Sequence, residues 1–181
     1  MQPHFKHVGL IGKAADRNVS MTLHALATQL KAQQTSILLD SGIADMFPDS
    51  GYPVAERADL ASRCDLAIVV GGDGTLLNAA RSLAEHGIAV LGVNLGRLGF
   101  LVDVSPEDMS WQLDLILGGE FIEEERTLLH STATRNGDFL SNSAALNDVI
   151  VHKQDIARMI ELDTYIDGHF LNTNRSDGLI I

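Results

Sequence analysis

The chain carries a single cysteine, Cys64, in 181 residues, which excludes an internal disulfide framework and a cysteine-rich zinc site. Proline is scarce, at 4, and the 16 glycines follow no repeat, so collagen-like and low-complexity organisation are excluded too. Long hydrophobic runs are missing. Residues 66–70 and 88–91 are the longest, far below the ~20 needed to cross a bilayer as a helix. The opening residues, Met1-Gln2-Pro3-His4-Phe5-Lys6-His7, contain no apolar leader. Basic clusters are also lacking: 24 acidic residues face 13 basic ones, for a net charge of −11, so the basic stripe of a nucleic-acid binder is absent. From these absences we expect a cytoplasmic protein with neither nucleic-acid nor membrane partners. An anionic ligand would have to be held by backbone N–H groups and a few placed cations.

What is there suits a globular protein. Hydrophobic residues make up 45% of the chain and charged residues 20%. Residues 7–11 read as a buried strand ending at Gly12. Val19, Leu23, Leu26 and Leu30 then recur at helical spacing. A second strand is expected at 35–39, a loop at 40–53, a short helix at 55–63 and a third strand at 66–70, cut off by Gly71-Gly72. Leu76, Leu77, Ala80, Leu83 and Ala84 mark a helix closed by Gly87, and residues 88–93 a fourth strand. Ser105-Pro106 signals a helix start, since proline suits the first helical position. Strands alternating with helices predict an α/β domain over 1–120: a mostly parallel sheet covered by helices on both faces. Cys64, just before an apolar strand, reads as a core or near-core residue.

The pattern changes near residue 120. Asn136-Gly137 and Asp167-Gly168 are two-residue turn signals. Residues 149–151 form a compact apolar run, and in 158–166 Ile160, Leu162 and Ile166 alternate with Glu161 and Asp163. This predicts a second, antiparallel β-rich domain over 121–181 with four or five strands. Its last residues, Gly178-Leu179-Ile180-Ile181, look like the opening of one more strand, so we expect a piece of a longer protein.

The segment richest in chemistry is Val69-Val70-Gly71-Gly72-Asp73-Gly74-Thr75. A buried strand ends, glycines flank an aspartate and a helix begins. In an open α/β sheet, ligands bind beyond the carboxyl ends of the strands. Glycines there let backbone N–H groups approach phosphate oxygens, and the helix N-terminus adds partial positive charge. Asp73 would repel phosphate unless it serves chemistry, as a base toward a hydroxyl or as a ligand of Mg²⁺. The plainer alternative is a tight turn with Asp73 as helix cap. Other motifs fail. In Gly9-Leu10-Ile11-Gly12-Lys13-Ala14 the first glycine of a P-loop would fall at His7, and Ala14 replaces the required hydroxyl. No G-x-G-x-x-G, H-E-x-x-H or G-x-S-x-G occurs, and the 7 histidines are scattered.

Gly71-Gly72-Asp73-Gly74-Thr75 resembles the signature shared by NAD kinases, diacylglycerol and sphingosine kinases and, in variant form, phosphofructokinases. Three further segments narrow the resemblance to bacterial NAD kinases. Asn94-Leu95-Gly96-Arg97-Leu98-Gly99-Phe100-Leu101 is similar to N-x-G-x-L-G-F-L, and Ala145-Leu146-Asn147-Asp148-Val149-Ile150 to A-L-N-E-V-x. Arg175-Ser176-Asp177-Gly178-Leu179-Ile180-Ile181 is similar to the stretch that leads into T-P-T-G-S-T-A-Y. The resemblance spans Val8 to Ile181, with two departures. Asp148 stands where the family usually has Glu, and the T-P-T-G-S-T-A-Y segment would lie beyond Ile181. On that basis the 181 residues alone are expected to be nearly inactive and to associate through the β region, with the first domain folded.

The resemblance implies phosphoryl transfer from ATP, with Mg²⁺, to the 2′-hydroxyl of the adenosine ribose of NAD. Asp73 becomes the proton acceptor, and Gly72, Gly74 and Thr75 the cradle for the polyphosphate. Asn147 would meet an adenine edge or ribose, Asp148 the ribose hydroxyls, and Asp177 the nicotinamide amide or ribose. Arg158 and Arg175 would approach phosphates, from a neighbouring subunit in a homo-oligomer. Each has a plainer reading: Asn147-Asp148 as turn residues, the two arginines as solvated charges, Asn94 and Gly96 as loop-shaping residues, Phe100 and Leu101 as packing. Lys13 and Arg17 are well placed in sequence for a triphosphate. A lipid or sugar kinase of the same superfamily, and a non-catalytic nucleotide-binding domain, are the rival functions.

Overall fold

The structure, a computed structural model, describes residues 3–13, 16–95, 101–102, 104–154 and 158–181. It divides into two compact units, Met1–Glu125 and Arg126–Ile181.

In the first unit the elements run β1 (His7–Gly12), α1 (Arg17–Ala32), β2 (Ser36–Asp40), a 3₁₀ turn (Ser41–Met46), β3 (Val54–Ala55), α2 (Arg57–Arg63), β4 (Leu66–Gly71), α3 (Asp73–Leu83), β5 (Ala89–Asn94) and α4 (Met109–Leu117). The five strands form one sheet in the order β3-β2-β1-β4-β5, and every pairing is parallel. The sheet alternates its side chains between two cores, as the two-residue period of a strand requires. Leu66, Ile68 and Val70 of β4 join α1 and α4 in one core, and Ala67 and Val69 join α2 and α3 in the other. Both faces are therefore covered. Residues of β4 are buried without exception because helices lie on either side.

The expected strands and helices of this unit are present, with three corrections. The segment expected as a loop over 40–53 contains a 3₁₀ turn, begun by Asp40, whose carboxylate accepts from the Gly42 N–H. A fifth strand, β3, was not anticipated, since two residues are too few to show a period. Pro106 does not open a helix. The backbone turns at 106–108, where Ser105 Oγ accepts from the Asp108 N–H at 3.2 Å, and α4 starts at Met109.

The second unit contains β6 (Leu129–Arg135), β7 (Asp138–Ala145), β8 (Ile150–His152), β9 (Ile160–Ile166), β10 (His169–Ser176) and β11 (Gly178–Ile180). Among the described residues these are five strands and, as β11, the further strand expected to open at Gly178, paired as three antiparallel two-stranded ladders: β6 with β7, β9 with β10, and β8 with β11. Asn136-Gly137 (φ 54° and 88°) and Asp167-Gly168 (φ 51° and 79°) close the first two ladders. Positive φ at both central residues is the type I′ geometry that Asn-Gly and Asp-Gly favour. The alternation read in β9 holds for Ile160 and Leu162, but Ile166 is 57% exposed.

Candidate active site

The order of the parallel sheet fixes where a crevice opens. β1 leads through α1 to β2 on one side, and β4 leads through α3 to β5 on the other. Chain direction thus parts between β1 and β4, and beyond their carboxyl ends the two connections diverge. The Gly-Gly-Asp-Gly-Thr segment occupies that switch point. Gly71 ends β4, Gly72 is the N-cap of α3, and Asp73 is its first residue.

Asp73 is therefore not the cap, as the plainer reading had it. The cap is a glycine, so no side chain closes the first turn of α3. The turn is closed by the Gly72 carbonyl, which accepts from Thr75 N at 2.9 Å and Leu76 N at 3.2 Å. Gly71 is required by close approach. A Cβ there would sit 2.6 Å from Thr75 Oγ1. Gly72 and Gly74 have open space where a side chain would be, so a ligand could meet their backbone.

A second segment reaches the aspartate. After β5 the chain returns beside it: Val93 bridges Val104, and Asn94 N donates to the Val104 carbonyl at 2.8 Å. This return needs Gly92, because a Cβ there would lie 2.9 Å from Val102, whose buried side chain lies on the strand. Leu101 N then donates to Asp73 Oδ1 at 3.4 Å. Leu101, expected as packing alone, thus lends its backbone to the site, a role that no residue type could announce. Asn94 is 8% exposed beside Gly71 in the β4–β5 register. Gly96, Gly99 and Phe100 of the same motif lie outside the described residues.

The candidates of the second unit are all exposed. Asn147 and Asp148 lie in the connection from β7 to β8. Asp177 lies between β10 and β11 and is ion-paired with Lys153 at 2.5 Å. The two ends of the β8–β11 ladder keep these groups apart: Lys153 N donates to the Asp177 carbonyl at one end, while Val149 and Ile181 exchange bonds at the other. At ~3.4 Å per residue, that ladder separates Asn147-Asp148 from Asp177 by more than about 10 Å. Arg175 stands opposite Glu161 in the β9–β10 register, and Arg158 precedes β9.

Cys64 packs, half-buried, against the second core of the first unit. Burial, reinforced by the Asp65 charge and opposed by Arg63, pushes its thiol up to about 11. Such a thiol is protonated at neutral pH and is a poor nucleophile. Among the described residues no three His, Cys, Asp or Glu side chains gather to hold a metal ion.

A glycine-lined strand-to-helix turn at the switch point of an open parallel sheet, with one carboxylate in its first helical turn, defines a doubly wound α/β protein. Residues 8–121 match the model of the ATP-NAD kinase N-terminal domain, and the chain belongs to that family. It is 47% identical to the NAD kinase of Teredinibacter turnerae over 98% of its length, and 46% identical to that of Nitrosococcus oceani over all of it. The chain spans about 60% of the length of these curated relatives. Among solved structures, yeast NADH kinase complexed with NADH superposes with a TM-score of 0.85 at 22% identity, covering 98% of this chain and 57% of that one. An NAD kinase from Archaeoglobus fulgidus in complex with ATP gives a TM-score of 0.71 at 25% identity, covering 96% and 59%. The fold expected from the alternation of strands and helices is the fold these enzymes share.

Proposed function

We propose that the protein to which this chain belongs is an NAD kinase. It transfers the γ-phosphoryl group of ATP to the 2′-hydroxyl of the adenosine ribose of NAD, giving NADP and ADP. One observation carries the reading: in a chain of this family, a lone carboxylate occupies the first turn of the helix that opens at the switch point of the sheet.

Phosphoryl transfer depends mainly on positioning and charge stabilisation around a loose transition state. The ribose oxygen attacks the γ-phosphorus, the bond to the β,γ-bridging oxygen breaks, and ADP leaves. The hydroxyl proton passes to the Asp73 carboxylate late in the transfer and then to water. Gly72, Gly74 and the first N–H groups of α3 receive the polyphosphate, with the Thr75 hydroxyl beside them. Asn147 offers both donor and acceptor to an adenine edge or ribose. Asp148 accepts from ribose hydroxyls, and Asp177 meets the nicotinamide end. Arg158 and Arg175 approach phosphates across a homo-oligomer interface. Mg²⁺ would be carried by the nucleotide's own phosphates, whose charge it would neutralise, leaving the Asp73 carboxylate to the acceptor hydroxyl. The cytoplasm, where both nucleotides are found, is the compartment for this reaction.

The test is NADP formation from NAD and ATP by the full-length protein, set beside thermal shifts with ATP, NAD, NADP and lipid head groups. NADP production with shifts from the dinucleotides supports the assignment. Shifts from lipid head groups with no NADP would assign the loop to the lipid-kinase branch instead.

A further inference from the structure

Among the described residues, a polar network centred on Arg57 reaches α3 from outside the turn. Asp40, at the carboxyl end of β2, is buried, with 4% of its side chain exposed. Its Oδ2 accepts from Arg57 Nη2 at 2.6 Å and from Arg57 Nε at 3.2 Å. The remaining arm of the guanidinium, Nη1, donates to Asn78 Oδ1 at 2.6 Å. Asp40 is itself fixed, since it ends a sheet strand and begins the 3₁₀ turn. Arg57 is the first residue of α2, which is anchored in the second core by Leu60 and Ala61. A planar guanidinium with donors in fixed directions transmits position in a way that a flexible ammonium does not.

The network lies where α3 needs it. The buried residues of that helix are Ala79 and Leu83, both in its second half. Packing is therefore fullest at the end of the helix remote from the site, while in the first half Leu76 is only partly buried against the second core. Its first half carries Asp73, Gly74 and Thr75, and its glycine cap supplies no side-chain bond. Asn78 lies between the fully buried positions, Ala79 and Leu83, and the turn that bears the carboxylate.

We infer that Asp40, Arg57 and Asn78 form a brace, with Arg57 as a positioning residue that holds the first turns of α3 so that Asp73 stands where the acceptor hydroxyl must be met. The role rests on the kinase reading for its consequence, but the brace itself can be measured without substrate. The informative variant is Asn78→Ala in the full-length protein, because it cuts the link to α3 and leaves the buried Asp40–Arg57 pair intact. Three results are expected. Amide hydrogen exchange accelerates at 73–78 and not in β1, β2 or β4. KM for each nucleotide stays within about twofold, while kcat falls by roughly tenfold, the scale of a small misplacement of a reacting group. Asn78→Asp, which still accepts from the guanidinium, restores both, and Arg57→Lys behaves like Asn78→Ala because an ammonium cannot serve Asp40 and Asn78 at once.

If the wild-type enzyme forms no NADP, the kinase reading fails and the exchange comparison alone decides on the brace. Unchanged exchange at 73–78 overturns the inference, as does an unchanged kcat in an active enzyme. Faster exchange throughout the α/β sheet also overturns it, because that outcome marks plain stabilisation.

Discussion

The two units hold their candidate residues by different physics. In Met1–Glu125 the sheet is sealed on both faces, and Leu10, Ile11, Leu23 and Ile68 are among its fully buried side chains. In Arg126–Ile181 no described residue is buried, and Phe139, Tyr165, Phe170 and Ile180 are largely exposed. The first unit is stabilised by removing apolar surface from water, at about 25 cal/mol per Å². The second is held by ladder hydrogen bonds and two tight turns. A carboxylate at the end of a buried strand is a fixed point, whereas groups on exposed hairpins are placed only as well as the hairpin is. Asp73 accordingly stands at the end of a sealed sheet, while Asn147, Asp148 and Asp177 stand on exposed connections.

The sharpest way to break that division is to remove the carboxylate. Asp73→Asn keeps the shape of the turn and the bond from Leu101 N, but it cannot take a proton. We expect kcat in the full-length protein to fall by about 10²–10⁴-fold, the usual contribution of a general base, with NAD binding retained. Steady-state kinetics with a near-normal kcat would remove Asp73 from the base role.

A second substitution pair addresses the cores directly. Ile68→Ala empties a fully buried site in the core between the sheet and helices α1 and α4. It should cost about 2–5 kcal/mol in urea unfolding of the 181-residue chain. Ile150→Ala, at a position 55% exposed, should cost less than about 1 kcal/mol. Similar costs for the two would show that the ladders of the second unit are packed as tightly as the sheet.

Features that local sequence controls were legible in advance. The apolar runs of β1 and β4, the helical period of α1 and the Asn-Gly and Asp-Gly turns act within a few residues, so they show in a single chain. So was the Gly-Gly-Asp-Gly-Thr turn, where Gly71 answers a steric demand made by Thr75. What escaped notice depends on distant partners. Arg57 and Asn78 are 21 residues apart, and Arg57 meets Asp40 across 17, with no period to connect them. Likewise β3 and the β8–β11 ladder are recognisable only once the neighbouring strand is in place, so the separation of Asp177 from Asn147-Asp148 could not be read from their spacing.

Of smaller size is the effect expected at Asn147. If the second unit supplies dinucleotide contacts, Asn147→Ala should weaken NAD by about 1–3 kcal/mol, the cost of leaving the ligand's polar atoms unpaired. ATP should lose much less. Equal losses for both nucleotides in calorimetry would mean that Asn147 shapes the β7–β8 connection, not the ligand.

The smallest effect tests whether an ion pair with one largely exposed partner matters in this unit at all. Lys153 Nζ lies 2.5 Å from Asp177 Oδ1, yet the aspartate side chain is 77% exposed, so water and salt screen the attraction. Pairs of this kind contribute about 0–1 kcal/mol, and the backbone bond from Lys153 N to the Asp177 carbonyl survives any side-chain change. Lys153→Met should therefore move the thermal midpoint of the 181-residue chain hardly at all, and less still at high salt. Its consequence for binding has the opposite sign. While paired, Asp177 shares its acceptor oxygens with an ammonium, and a nicotinamide amide would have to compete for them. Freeing the carboxylate should raise NAD affinity in the full-length protein by up to about fivefold, equivalent to ~1 kcal/mol, and leave ATP unaffected. Weaker NAD binding by Lys153→Met would reverse the assignment, making the lysine the ligand contact and Asp177 only its anchor.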